Sequence, residues 1–295
     1  MFKSPQAHHT ATALAASPLP GRSFFWGVTM RTVLVTGSTD GIGFATARIL
    51  ARRGARVLVH GRSQARLAET ISGLQQAVPE GRFEAFEGDF ASFASVRALA
   101  GAVRERAPDL DVLVNNAGVF ASERQLTQDG HELTWQVNHL APFLLTLELL
   151  PLLQQRPAAR IVNVSSIAHT RGGLFLDDPS LGHHFDGYRA YAQSKLANVL
   201  FTQELARRLT GTPVTVTSLH PGVIQTKLLR EGFGAMQGGS LDEGAATSVK
   251  LALDPLPPTA NGGYFIDGYE REPATRDEVL AAKLFAWSEA AVAAS

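Results

Sequence analysis

A short β-branched run stops at a glycine-rich turn, and a helical pattern begins at once. The run is Thr32-Val33-Leu34-Val35-Thr36, and the turn is Gly37-Ser38-Thr39-Asp40-Gly41-Ile42-Gly43. The helix then places Ile42, Ala45, Ile49 and Leu50 inward and ends at Gly54. A continuous apolar strand of this length is one buried on both faces, as in a parallel sheet. Strand, turn and helix in this order let backbone N–H groups and the helix N-terminus meet a pyrophosphate closely. Glycines are expected there because a Cβ would hold the phosphates away.

The alternation continues. Strands are expected at Arg56 to His60, Arg82 to Glu87, Leu110 to Val114, Arg160 to Val164, Val214 to Leu219 and Gly263 to Asp267. Helical patterns lie between them, including a long apolar one over 131–155 and another that carries Tyr191 and Lys195 to about Leu209. This is one α/β domain over 30–295. Residues 1–29 have no period and hold Pro5, Pro18, Pro20 and Gly21, so they read as a disordered extension, with Met30 a candidate natural start. A signal peptide is the alternative for that stretch, but Ala11 to Ala16 is short and rich in Thr.

Composition narrows the partners. Lys+Arg and Asp+Glu balance at 27 each, so no field collects nucleic acid or an anionic membrane. There are no cysteines, which excludes disulfides, thiolate metal sites and a cysteine nucleophile, and suits a cytoplasmic protein. No run of 18 or more apolar residues predicts a membrane span. Asp177, Asp178, His183, His184 and Asp186 sit in an insertion from about Arg171 to Gly187, but without regular ligand spacing they read as a solvated loop and not a metal site. The glycine-bearing segment from Gln225 to Gly239 reads as a mobile lid.

Two constellations carry chemistry. Tyr191 and Lys195, four apart, share a helix face. A lysine ammonium beside a phenol favours the phenolate and is expected to pull its pKa down, which makes a proton donor for a carbonyl or an acceptor from an alcohol. At the end of the second strand, where an acid would grip a ribose 2′-hydroxyl, stands Gly61, followed by Arg62. A guanidinium there suits a 2′-phosphate, so NADP(H) is expected over NAD(H). Asp40 opposes that preference.

The chain resembles the short-chain dehydrogenase/reductase family from Met30 onward. The carriers are Thr36-Gly37-x-x-x-Gly41-x-Gly43, Asn115-Asn116-Ala117-Gly118, Asn138, Ser166, Tyr191-x-x-x-Lys195 and Pro221-Gly222. Val137-Asn138-His139-Leu140, the run Arg160 to Ser166 and the run Ala190 to Asn198 make it similar to the retinol-dehydrogenase-like branch. The resemblance implies a doubly wound Rossmann-type sheet with helices on both faces, a nicotinamide cofactor, and hydride transfer at a carbonyl or alcohol carbon. It makes Tyr191 the general acid/base, with Lys195 lowering its pKa and holding the ribose. Ser166 would bond the substrate oxygen, with Ser165 the alternative, and Asn138 would order a relay water. Gly37, Ser38, Thr39, Asp40, Gly41, Ile42 and Gly43 would surround the pyrophosphate, and Asp89 and Phe90 the adenine. Asn115, Ala117 and Gly118 would line the cofactor, and Pro221, Gly222, Val223 and Thr226 the nicotinamide. Phe120, Ile167, His169, Phe185 and Tyr188 are candidate pocket residues for a small hydrophobic substrate. The two long helices could pair across a dyad in a homodimer. A cofactor-binding sensor of the same fold without chemistry is the alternative function.

Pro142 adds one expectation. It has no N–H, so the carbonyl of Asn138 loses its helical partner. A kink and a bound water that links this carbonyl to Lys195 are expected.

Overall fold

The structure is a computed structural model that describes residues 30–234 and 237–294. The extension expected to be disordered lies outside the described residues. β1 (Thr32–Val35), β2 (Arg56–Gly61), β3 (Arg82–Glu87), β4 (Leu110–Asn115), β5 (Arg160–Val164), β6 (Thr215–His220), β7 (Tyr264–Ile266) and β8 (Tyr269–Arg271) form one sheet. Their order is β3-β2-β1-β4-β5-β6-β7-β8. All neighbours are parallel except β7 and β8, an antiparallel edge pair that the sequence pattern did not announce.

Alternate strand residues face opposite ways. Leu34, Leu58, Leu113, Ile161 and Val216 join one core with α3 (Phe93–Arg106), α5 (Ala141–Leu153), α6 (Gly187–Arg208) and α9 (Glu278–Ala293). Val33, Val35, Val57, Val59, Val112, Val114 and Val162 join the other with α1 (Gly41–Arg52), α2 (Gln64–Ala77) and α8 (Leu241–Leu253). Covering both faces explains why the strands are apolar without alternation. The chain runs outward from β1 to β3, then returns to β4 on the other side of β1. The carboxyl ends of β1 and β4 therefore flank a crevice, which is where sheets of this kind bind ligands.

The apolar pattern over 131–155 is not one regular helix. α4 (Leu133–Trp135) runs into a π turn (Gln136–Leu140) and then α5. The Ala141 N–H reaches back to the Gln136 carbonyl, five residues away. Leu133–Leu153 is long and apolar enough to cross a membrane, but most of it is buried within the domain, and that burial accounts for its composition.

α9 lies across α6 and α5. Phe285 packs with its ring centre 5.0 Å from Phe143 and 6.1 Å from Phe201, and His139 Nε2 is 2.9 Å from Ser288 Oγ.

Candidate active site

The three glycines of the first turn serve different ends. Gly37 and Gly41 have φ of +63° and +56°, which side chains rarely adopt. A Cβ on Gly37 would stand 2.8 Å from the Ala117 Cα, and one on Gly43 2.2 Å from the Gly37 carbonyl oxygen. These two glycines let the turn pack on protein. Only Gly41 looks onto open space, with Thr226 Cγ2 its nearest neighbour at 3.7 Å. It is therefore Gly41, at the start of α1, that leaves room for a phosphate. Asp40 is spent as the helix cap, its Oδ1 accepting from the Gly41 N–H at 2.7 Å. Ser38 is buried, and its hydroxyl accepts from the His60 N–H at 2.9 Å and donates to the Val35 carbonyl at 2.8 Å. Ile42 faces α8 close to Gly244.

Sequence reasoning missed His60. The Gly37 N–H donates to His60 Nδ1 at 3.0 Å, so Nδ1 is bare and Nε2 carries the proton to the Gly88 carbonyl at 3.0 Å. Burial pushes this imidazole down to about 4. His60 thus ties the glycine turn to the loop that holds Asp89 and Phe90. Phe90 is buried against the His60 ring at 4.8 Å and offers no side chain to a ligand. Asp89 is exposed, with one carboxylate oxygen on the Ala91 N–H at 3.0 Å. A Cβ on Gly61 would meet Thr39 Cγ2 at 2.4 Å, so the end of β2 cannot carry an acid while Thr39 packs there. Arg62 is exposed beside it.

The loop after β4 differs from expectation at Asn115. Its amide donates to Thr146 Oγ1 at 3.0 Å and Asn163 Oδ1 at 2.8 Å, deep in the core, so its side chain does not line a cofactor. Asn116 does the visible work of shaping the crevice, donating to the Thr36 carbonyl at 2.8 Å. Asn138 clasps the same loop. Its Oδ1 accepts from the Val119 N–H at 2.8 Å, while Nδ2 donates to the Val119 carbonyl at 3.0 Å and to Ser194 Oγ at 3.1 Å. The orphaned Asn138 carbonyl has a partner other than the expected water. Asn198 Nδ2 donates to it at 3.0 Å. The π turn lies directly before Pro142, so the helix bends its bonding pattern ahead of the proline.

Ser166, Tyr191 and Lys195 converge at the carboxyl end of β5. The Tyr191 phenol is hydrogen-bonded to the Ser166 side chain. Ser166 Oγ also accepts from the Ala168 N–H at 3.2 Å. Ser165 is buried and donates to the Lys195 carbonyl at 2.7 Å, which makes it structural and leaves the site to Ser166. Lys195 Nζ donates to the Val164 carbonyl at 3.1 Å and stands 5.5 Å from the Tyr191 ring centre. A Cβ on Gly118 would lie 3.5 Å from that ammonium, so Gly118 keeps the approach to Lys195 open. Burial pushes the Tyr191 phenol up to about 12, opposed by the Ser166 hydrogen bond, and pushes Lys195 down to about 8. The expected fall in the tyrosine pKa is thus reversed in the protein alone. Desolvation disfavours both charged forms, and the ammonium lies over the ring.

Helix α7 (Lys227–Phe233), in the segment expected to be a lid, is capped by Thr226, whose Oγ1 accepts from the Leu229 N–H at 3.1 Å. Pro221 and Gly222 (φ +95°) turn the chain out of β6. Val223 and Ile224 are stitched to Gly239, the Gly239 N–H donating to the Val223 carbonyl at 2.8 Å. Phe120, Tyr188 and Leu228 pack against the small buried cluster of Ala168, Tyr191 and Ala192, and Phe120 is 6.0 Å from Tyr191, ring to ring. Ile167 and Val223 are exposed nearby in sequence to Ser166 and the lid. His169 is buried behind Ser166 and not in the mouth. Among the described residues no group of three or more His, Asp or Glu is placed to hold a metal.

The crevice at the switch point, the open Gly41 cradle and the buried Tyr–Lys pair have the anatomy of a dinucleotide-binding oxidoreductase. The short chain dehydrogenase family matches residues 31–235. Retinol dehydrogenase 14 from Mus musculus is 41% identical over 286 residues, 89% of this chain and 86% of that protein. Dehydrogenase/reductase SDR family member 13 from Bos taurus is 41% identical over 271 residues, 86% of this chain and 71% of that protein. A crystal structure from Mycobacterium Paratuberculosis superposes with TM-score 0.72 at 36% identity, covering 89% of this chain and 93% of that one. The chain belongs to the short-chain dehydrogenase/reductase family, in its retinol-dehydrogenase-like branch: a nicotinamide-dependent oxidoreductase of CH–OH and C=O groups.

Proposed function

We propose that the chain uses NADP(H) to interconvert a lipophilic aldehyde or ketone and the corresponding alcohol, with Tyr191 as general acid/base. The observation that carries this reading is the hydrogen-bonded Tyr191–Ser166 pair, backed by Lys195, with Phe120, Tyr188 and Leu228 packed against the cluster that holds Tyr191. Bound NADP(H) supplies or accepts the hydride. Tyr191, protonated across the neutral range, donates its proton to the oxygen of a carbonyl as that oxygen gains charge. Ser166 Oγ, aimed by the Ala168 N–H, bonds the same oxygen. Lys195 favours the phenolate once the proton has left, and Asn138 fixes the loop against which Lys195 lies.

Two features support the 2′-phosphate. Gly61 cannot become an acid without moving Thr39, and Asp40 directs one oxygen into the helix cap. Arg62 then meets the phosphate through charge-assisted bonds. The apolar and aromatic side chains around Tyr191 suit a lipophilic substrate, and the retinol named in the relative from Mus musculus is one such molecule. Oxidation of NADPH across a panel of apolar aldehydes, ketones and quinones tests the reading. Turnover with at least one, and with NADPH ahead of NADH, is expected. Tight NADPH binding with no turnover on any would favour the sensor.

A further inference from the structure

Ser166 is only as useful as its aim, and the side chain that sets it lies three residues on. The short 3₁₀ turn Ile167–Arg171 begins at Ser166 and carries His169, which is 1% exposed. His169 Nδ1 lies 2.7 Å from the Ser166 carbonyl, and the Ala274 N–H points to His169 Nε2 at 3.0 Å. A backbone N–H only donates and a carbonyl only accepts. The ring therefore has one allowed form, with its proton on Nδ1 and a bare Nε2. The Ser166 carbonyl also accepts from the His169 N–H at 3.1 Å. One histidine thus grips the serine backbone twice, once through its main chain and once through its ring. The ring is braced against Tyr264 at 4.6 Å, and Tyr264 stands on β7.

We infer that His169 is a positioning residue for Ser166, a clamp that fixes the serine to the segment leading into α9. Ala274 lies between β8 and α9, so the clamp joins the catalytic edge of β5 to a segment 105 residues further along the chain. With its carbonyl held at two points and its Oγ held by Ala168, Ser166 has little freedom left except to face Tyr191. Burial lowers the imidazole pKa, which keeps the ring in the neutral form that both bonds require. The inference rests on the proposed role of Ser166.

The two ring nitrogens can be tested separately. Asparagine places an amide near the position of Nδ1 and can still donate to the Ser166 carbonyl. Glutamine places one near Nε2 and can still accept from Ala274. His169→Asn should keep kcat within about threefold of the wild type while the melting temperature falls, because only the tether is lost. His169→Gln should keep more of the melting temperature but lose about tenfold or more in kcat, with KM and the NADPH dissociation constant little changed. Equal kcat in the two variants, or full kcat in His169→Gln, overturns the clamp. Ser166→Ala separates the failures. If that variant is inactive while His169→Gln is fully active, the clamp alone is wrong. If Ser166→Ala keeps wild-type turnover, the proposed role of Ser166 falls and the clamp falls with it.

Discussion

The proposed NADP(H) preference ties Gly61 to Thr39, and a double substitution exposes the coupling. Gly61→Asp installs the acid that would grip a free ribose 2′-hydroxyl and repel a 2′-phosphate. Its Cβ must enter space that Thr39 Cγ2 holds at 2.4 Å, a full ångström inside ordinary contact. Overpacking of this kind costs about 1–3 kcal/mol. For a domain of this size that is a loss of roughly 2–4 °C in Tm for each kcal/mol. Thr39→Ser removes the obstructing methyl and should cost little alone. In the double variant most of the stability lost to Gly61→Asp should be recovered, giving a coupling of about 1–3 kcal/mol between the two positions. Cofactor titration should follow a different logic. Both Gly61→Asp variants should lose NADPH affinity, and only the relieved double variant should bind NADH better than the wild type does. Urea unfolding and nucleotide fluorescence, run on the four proteins of the cycle, measure both effects. Gly61→Asp with an unchanged urea midpoint would refute the packing argument, and a double variant that binds NADH no better than the wild type would refute the cofactor argument.

Three buried histidines make folding acid-sensitive: burial pushes His60 and His220 down to about 4 and His139 to about 3. Because the unfolded chain takes up these protons near 6.5 and the folded one refuses them, stability is full above that pH and falls as pH drops towards 4, at up to about 4 kcal/mol per pH unit; equal urea midpoints at pH 7 and pH 5.5 would contradict this. Asn198→Ala leaves the Asn138 carbonyl unpaired and should cost about 1–3 kcal/mol by chemical denaturation. A variant as stable as the wild type would show that this carbonyl finds another donor. On the proposed reading Arg62→Ala removes one charged partner of the 2′-phosphate, so it should weaken NADPH binding by about tenfold or more while leaving NADH unchanged; parallel losses for both cofactors would place Arg62 elsewhere.

Local pattern made much of this legible. β1, the turn and α1 follow from the 21 consecutive residues Thr32 to Arg52, because a buried parallel strand and an amphipathic helix each write their period into the chain. The Tyr191–Lys195 pair was legible because residues four apart on one helix remain neighbours in any fold that keeps the helix. What failed was what depends on distant partners. Asn115 looks like a lining amide until Asn163 and Thr146, 48 and 31 residues away, claim its side chain. His60 is an ordinary strand residue until Gly37 and Gly88 approach its two nitrogens. Pro142 correctly marked an orphaned carbonyl at Asn138, but its partner, Asn198, is 60 residues further along the chain, on α6. The tyrosine pKa went the other way for the same reason. Spacing records that Lys195 is near, whereas burial is a property of the whole domain.

Turnover and cofactor binding in Tyr191→Phe test the central claim most directly. The phenyl ring keeps the packing against Phe120 and the face beneath Lys195, and removes only the hydroxyl that Ser166 bonds. Turnover of the best carbonyl substrate should fall at least about 100-fold, while the NADPH dissociation constant stays within about threefold of the wild type. Near wild-type turnover in this variant would contradict the assignment of Tyr191 as the proton donor.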